Sequence, residues 1–471
     1  YIQTGDNSKG AEYIERAVEL DPDQALLRTQ LAVGKIATGD TTSAISQLES
    51  AVALGQDVVQ ADVLLVLSYL NKKEFDKAIA ASEALEQRMV DSPIPYNLTG
   101  LALLAQRQYA AAGERFHLAL EKEPQCVVAQ MNLARLELAR RKPKAAAQAF
   151  EKVLEMNPGH LGAMMGLSAL ARAQGDVAEA ESWLQRANQA NPKALQPILA
   201  LAEIHLRRNE SLKASNVLSG LTPQQAGLPA VLRLKGMAQL QSGDYASAMH
   251  TLRKLTEAQP GSIEGWFQLA RAQAASGDRG ASRASFERAI ELDQGHKVPV
   301  VWIGLAELEL RDRRYDEALE LAQRIKTHFP ANVAGLDVEA AAYRGKGDTE
   351  QALEAAESAL RMDANSRRVN AFARSLAAAG QMERGLEVLQ EWLDEKTDDG
   401  AAWANLGMLR QQAGQEDAAL QAYEQALQHG DASAVILNNM AWLYLDRDGA
   451  RAVELATKAL SLIHISEPTR P

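Results

Sequence analysis

The feature that most constrains this chain is a recurrence at about 34 residues. Pro22, Pro124, Pro158 and Pro192 mark helix-ending turns; the last three are 34 residues apart, and 102 residues, three such periods, separate the first two. Pro260, Gln294, Pro330, Ala364, Thr397 and Asp431 carry the series on in steps of 33 to 36. Small residues keep the same phase independently, with Ala44, Ala78, Ala112, Ala146 and Ala180 each 34 residues from the next. A period of this length means one supersecondary unit repeated. So short a unit cannot bury its own apolar surface and has to lean on copies of itself.

Inside each period, apolar residues fall at three- and four-residue intervals, the signature of two amphipathic helices. The stretch AAWANLGMLRQQAGQEDAALQAYEQALQHGD over 401–431 shows the logic. Trp403, Leu406 and Gly407 share one face of a first helix, where Gly407 is expected to admit a partner backbone. Gly414 supplies the turn, Ala419, Tyr423 and Ala426 face back from a second helix, and Gly430 with Asp431 ends it. Stacking such pairs yields an all-α solenoid with no strands.

This pattern resembles the tetratricopeptide repeat, whose signature residues recur at fixed offsets. One unit carries Tyr96, Gly100, Ala112, Phe116, Ala119 and Pro124; another Trp266, Leu269, Phe286 and Ala289; a third Trp302, Leu305, Ala318 and Pro330. The resemblance covers residues 1 to about 460 and implies a right-handed superhelix of about 13 helix-turn-helix repeats. In that register Tyr1 falls in the middle of a first helix, so the chain is expected to begin inside a repeat. LSGLTPQQAGLPA, with Pro223, Gly227 and Pro229, interrupts the regular turns and is expected to shorten one second helix. It divides the chain into arrays at 1–222 and 223–460. Residues 461–471, SLIHISEPTRP, match nothing upstream and are set apart as a non-native tail.

No reaction centre is legible. The eight His, at 117, 160, 205, 250, 296, 328, 429 and 464, form no His-Glu-x-x-His pair, and none is expected to be a metal ligand. Gly345 and Gly347 belong to a turn between helices, not a phosphate cradle after a strand. Cys126, the single Cys, leaves no disulfide or thiolate zinc cage to build. It stands at a helix start, where amide dipoles favour a thiolate, but no activating His is near and a packed side chain is the expected role. No cofactor or catalytic residue is assigned. The longest apolar run, VLLVLSYL at 63–70, is far short of a membrane span. Acids outnumber bases 61 to 50, a net charge of −11 that disfavours nucleic acid and anionic lipid as partners.

In tetratricopeptide proteins the second, fifth, sixth, ninth, twelfth and thirteenth positions of each unit line an inner groove, and the resemblance carries that surface here by register. In the early units those positions are aliphatic: Leu26, Val33, Ile36, Val63, Leu67, Leu70, Ile94, Leu101 and Leu104. Later they hold Arg135, Arg172, Arg207, Arg233, Arg271, Arg311, Arg344, Arg367 and Arg374, against the acids Glu203, Glu264, Glu307 and Asp337. Asn97, Asn132, Asn370, Asn405 and Asn438 add amide groups. The implied partner is an extended protein or peptide segment, or an anionic exopolysaccharide, because the planar guanidinium fork pairs bidentately with carboxylates. The competing arrangement pairs these arginines with acids on their own helices, Arg135 with Glu137 and Arg311 with Glu307. The Lys-Asn, Asn, Lys-Arg set with which tetratricopeptide chaperone cofactors hold a terminal carboxylate is not matched.

The stretch AVILNNMAWLYLDRDGARAVELATKAL, with Asn438, Asn439, Ala441 and Trp442, is similar to the last repeats of large bacterial tetratricopeptide proteins of the PEP-CTERM/exosortase systems. That similarity implies a non-catalytic scaffold of the bacterial envelope, periplasmic or outer-membrane-associated, held to the membrane as a lipoprotein through an N-terminal anchor not in this sequence. It also implies a link to exopolysaccharide production or the sorting of PEP-CTERM proteins. Two other readings stay open: the repeat module of a larger enzyme such as a glycosyltransferase, and a cytoplasmic adaptor.

Overall fold

A computed structural model describes residues 7–466 except 57 and 432, with side-chain burial given from 12 to 462. Tyr1, expected within a first helix, lies outside the described residues. Among these residues there are 28 helices and no strand. Thirteen helical pairs follow one another, from Ala25–Ala37 with Thr41–Ala53 to Ala434–Tyr444 with Gly449–Ser466. The helix Asn7–Leu20 precedes them in the register of a second helix. The chain divides into two compact units, one ending at Ala226 and the other starting at Gly227. The first holds six of the pairs and the second seven.

The turn inside each pair has one chemistry. One or two residues after the first helix the backbone takes a left-handed conformation at Gly39, Gly175, Gly243, Gly277, Gly347, Gly380 and Gly414, where lack of a Cβ makes that conformation accessible. At the same register Lys73, Arg107, Arg141, Asn209 and Arg313 adopt positive φ without that relief. An acid then caps several second helices: Asp40, Asp176, Asp244 and Asp278 accept from the amide three residues on, at 2.8 to 3.1 Å.

The small residue expected at the 34-residue step is buried between packed helices. Ala44, Ala78, Ala112, Ala146 and Ala180 are all fully buried, and Ala214 and Ala248 extend the row. Position 282 is a buried Ser, and Gly385 goes further: a Cβ there would stand 2.8 Å from the Ala373 carbonyl oxygen. Gly385 is thus where helix backbones meet. Gly407 does something else, contrary to expectation, because its missing Cβ leaves room for the ring of Tyr423 and not for a backbone. Gly100 with Phe116 and Gly236 with Leu252 repeat that fit within their pairs. Gly166 and Gly304 receive Phe150 and Phe286 from the preceding pair, so the second-helix side chain can key into either neighbour. These contacts join clusters such as Ala134, Phe150, Val153 and Leu167 in the first unit and Trp302, Ala306, Leu321 and Ile325 in the second.

The irregular stretch shortens a second helix as its prolines and glycines suggest. Ser211–Ser219 has nine residues where Val177–Ala190 has 14. Pro223 has no amide hydrogen and its ring would strike the Ser219 carbonyl of a continued helix. The period is nonetheless kept, since Ala180, Ala214 and Ala248 stay 34 apart. At the other end the loss of periodicity after Leu460 does not stop the helix, which runs to Ser466. No described helix is long and apolar enough to cross a membrane.

Consecutive first helices also pack on one another, as between Pro93–Ala105 and Val127–Ala139 or between Pro299–Arg311 and Ala334–Lys346, and no two second helices pack so closely. First helices therefore form a face of their own in each unit.

Candidate functional site

The early units give that face an apolar character. Leu26, Ile36, Leu67 and Ile94 are exposed, while Val33, Val63, Leu70, Leu101 and Leu104 are half-buried. From Val127 onward every arginine assigned by register does sit on a first helix: Arg135, Arg172 and Arg207 in the first unit, and Arg233, Arg271, Arg311, Arg344, Arg367 and Arg374 in the second. All but the half-buried Arg233 are exposed.

Many arginines of the chain are ion-paired, such as Arg115, Arg208 and Arg283, though others away from this face, among them Arg107, Arg141 and Arg313, are not. Arg233 aside, none of the arginines assigned by register forms an ion pair with any described residue. The local pairing considered for them does not occur: Glu137 binds Arg140 at 3.0 Å, and Arg135 instead reaches the Asn132 amide oxygen at 3.5 Å. Glu307 is not paired with Arg311. Asp337 is claimed by Arg368, whose two nitrogens meet its carboxylate at 2.9 and 3.1 Å. That hydrogen bond raises the Arg368 pKa above its ordinary value. Elsewhere arginines are neutralised in the same way, Arg115 by Glu83 and Glu86, Arg208 by Glu181, and Arg283 by Glu309 and Asp312.

Unpaired arginines also meet in twos. Arg172 and Arg207, from successive first helices, line a hollow of about 210 Å³ with Glu203. Arg271 and Arg311 line one of about 460 Å³ with Glu307, and Arg344 and Arg367 one of about 120 Å³ with Asp337. Three times, then, two unpaired guanidinium groups from neighbouring first helices border a recess that also holds one acid, with the ion-paired Arg208 and Arg368 lining two of them as well. Arg271 is the best positioned: it donates to the Gln268 side-chain oxygen at 3.0 Å, and Gln268 donates in turn to Glu264 at 2.9 Å.

The asparagines depart from expectation. Asn132, Asn370 and Asn405 are buried and not offered to a partner, and Asn97 is buried with them. Asn132 donates to the Asn97 oxygen at 3.3 Å, and Asn97 donates to the Pro93 carbonyl at 3.2 Å and to Cys126 Sγ at 3.6 Å. Asn405 donates to the Ala401 carbonyl at 2.9 Å and Asn370 to Ser366 Oγ at 3.4 Å. Asn438 alone of the assigned set is exposed. Register counting placed the fifth and sixth positions at the surface, but the adjoining first helix covers them. Cys126 is buried against Ala119 and Ala129, in agreement with a packed side chain.

Sequence reasoning missed the aromatic lining of the Arg271–Arg311 hollow, Phe267 and Phe286. Phe286 was legible only as a repeat residue, and Gly304, which makes the fit possible, carried no signal of its own. No group of three metal-ligating side chains occurs among the described residues.

Models of the tetratricopeptide repeat match most of the sequence: one over 29–91, 97–152, 131–194 and 267–333, a second over 171–238 and 343–408, and a third over 1–24, 233–262 and 400–428. No curated protein matches the chain. Among solved structures, the APC/C hetero-tetramer Cut9-Hcn1 is similar at 16% identity and a TM-score of 0.39, over 99% of this chain and 92% of that one. A tetratricopeptide repeat protein from Parabacteroides merdae is similar at 16% identity and a TM-score of 0.43, over 51% of this chain and 94% of that one.

Proposed function

This chain belongs to the tetratricopeptide repeat family, and from that premise we propose that it is a non-catalytic scaffold whose first-helix face binds an extended acidic segment of a partner protein. Repeats of this family generally bind proteins or peptides. What carries the acidic preference is the threefold recurrence of paired, unneutralised arginines in hollows between successive first helices. In a chain of net charge −11 they are a local exception. Each guanidinium is free to take a carboxylate bidentately, and the single acid in each hollow leaves the local balance positive. An anionic polysaccharide presents the same carboxylate chemistry and is the alternative ligand.

The finer reading is a scaffold of the bacterial envelope, tied to exopolysaccharide production or the sorting of PEP-CTERM proteins. The Asn438, Asn439, Ala441 and Trp442 stretch supports it, and the Trp442 side chain is 64% exposed and open to a partner. Membrane fractionation of the bacterial source tests this reading, which requires the protein to co-sediment with envelope and resist salt washing.

For the binding face the test is titration with labelled polyglutamate and with a polyuronate at rising salt, before and after Arg271→Gln, Arg311→Gln and Arg344→Gln in combination. Affinity should fall as salt rises, and the triple variant should bind more weakly with a shallower salt slope. Equal binding by variant and parent would discard the basic face; a loss confined to the polyuronate would favour the glycan.

A further inference from the structure

We infer that the Arg271–Arg311 hollow is a selective subsite that takes a bulky apolar side chain adjoining a carboxylate, so that the partner segment is acidic but punctuated by an aromatic or branched aliphatic residue. This rests on the acidic-segment reading above and narrows it.

The three arginine-lined hollows differ in their floors. Between Arg344 and Arg367 half the lining is alanine, including Ala340, Ala341 and Ala371, and no large apolar side chain is offered to a ligand. Between Arg271 and Arg311 the lining includes Phe267 and Phe286, whose ring centroids are 6.1 Å apart at 60°. Gly304 forms part of that lining, and a Cβ on it would stand 2.6 Å from Phe286 Cε1 and 3.5 Å from Phe267 Cε2. Only glycine lets both rings occupy the recess beneath the helix Pro299–Arg311. At the margins Tyr245 is 37% and Val300 49% exposed, leaving apolar surface in contact with water. A volume of about 460 Å³ accommodates an aromatic side chain together with its neighbours, whereas the hollow of about 120 Å³ is too small and the one of about 210 Å³ offers no aromatic surface.

The charged rim fixes what must lie next to that side chain. The Arg271 guanidinium lies 5.7 Å from the Phe267 ring centroid and is tethered by Gln268, so a cation stands ready beside the aromatic floor. Arg311 supplies the second cation. Glu307, one turn before Arg311, repels a run of consecutive carboxylates. A segment alternating one acid with one apolar residue satisfies the rim and the floor together, whereas a uniformly acidic polymer satisfies only the arginines.

Three end-blocked, fluorescein-labelled dodecapeptides test this on the whole chain by anisotropy: an Asp/Ser peptide with a central Asp-Phe-Asp, the same peptide with Ala for Phe, and oligoglutamate. The Phe peptide should bind about tenfold tighter than its Ala counterpart. Val300→Gln, a neutral polar change at a half-exposed margin position, should abolish that preference while leaving the helical circular dichroism unchanged. Arg172→Gln in the other unit should leave the preference intact. Equal affinity for the Phe and Ala peptides, both salt-sensitive, would overturn the subsite and spare the basic face. A Phe preference that survives both Val300→Gln and the Arg271→Gln/Arg311→Gln pair would place the aromatic contact elsewhere and also overturn it. Absence of salt-sensitive binding by all three peptides would sink the basic face and the subsite together.

Discussion

Tyr423 fills the space that Gly407 leaves open: a Cβ added at Gly407 would lie 2.6 Å from Tyr423 Cδ1, and the fully buried ring is held by a 2.7 Å hydrogen bond from its hydroxyl to Gln411. Gly407→Ala gains about 1 kcal/mol in helix propensity but forces a clash costing about 1–3 kcal/mol. The expected result is a net loss of stability. Gly280→Ala, in a helix with nothing within 4 Å of the new methyl, should be neutral or stabilising. Urea unfolding of the two variants checks the contrast; equal effects would show that the ring can move aside.

Adjacent arginines should behave oppositely. Arg367 is exposed and unpaired, whereas Arg368 binds Asp337 and Asp363. Arg367→Gln should change stability by less than about 0.5 kcal/mol, and Arg368→Gln should cost about 2 kcal/mol through lost charge-assisted hydrogen bonds. Thermal unfolding of both reads the difference directly. A large loss from Arg367→Gln would mean that the residue is structural and would remove it from the binding face.

Glu309 is a nearly fully buried carboxylate, met by Arg283 at 2.6 Å and Arg314 at 3.3 Å. Glu309→Ala should destabilise by roughly 2 kcal/mol, because it removes the charge-assisted hydrogen bonds of a buried carboxylate and leaves its site unfilled, although Arg283 keeps Asp312 and Arg314 keeps Glu317. The Arg283→Met/Glu309→Leu double variant should lose much less, since it removes both charges and retains bulk. A double-mutant cycle with no coupling would contradict this account.

The turns offer stabilising changes. Arg107 and Arg313 take φ of 64° and 59° at the register where other turns use glycine. Arg107→Gly and Arg313→Gly should each raise stability by about 1 kcal/mol, by relieving left-handed backbone strain. Calorimetry showing a lower transition temperature would indicate that unfolded-state entropy outweighs the strain.

Acid should loosen the caps. Hydrogen bonds from Ser43 and Ser247 hold the Asp40 and Asp244 pKa values below the usual carboxylate range. A lowered folded-state pKa gives stability that is present above the unfolded value, about 3.9, and lost as pH falls through the folded one. Asp40→Asn/Asp244→Asn keeps a capping oxygen without the titration. Below about pH 4 the variant's unfolding midpoint should therefore fall less steeply than the parent's, and parallel midpoints would refute the assignment.

The repeat was legible because periodicity reports a packing requirement that every unit shares. Ala44, Ala78 and Ala112 had to be small wherever helices touch, and they are buried as the spacing demands. Arg271 and Arg311 could be placed on a first helix for the same reason. Their lack of an acidic partner could not be read, because Glu307 is as near in sequence to Arg311 as a salt-bridging acid would be; the structure instead leaves Arg311 and Glu307 exposed and apart. Asn132 and Asn405 were misjudged because burial at the fifth and sixth positions depends on how closely the next first helix approaches, a distance no single unit encodes. Lys73 and Arg141 likewise hid their turn role, since positive φ announces itself in sequence only when the residue is glycine.

The unbroken step from Ala44 through Ala214 has an arithmetic consequence. Within that span, excising one whole period at matching turns rejoins each helix end to the same kind of partner it had before. Length there is quantised: the array can be shortened or duplicated by a module without redesigning a joint. The surplus of two residues between Gln294 and Pro330 denies the same freedom to any cut that spans it.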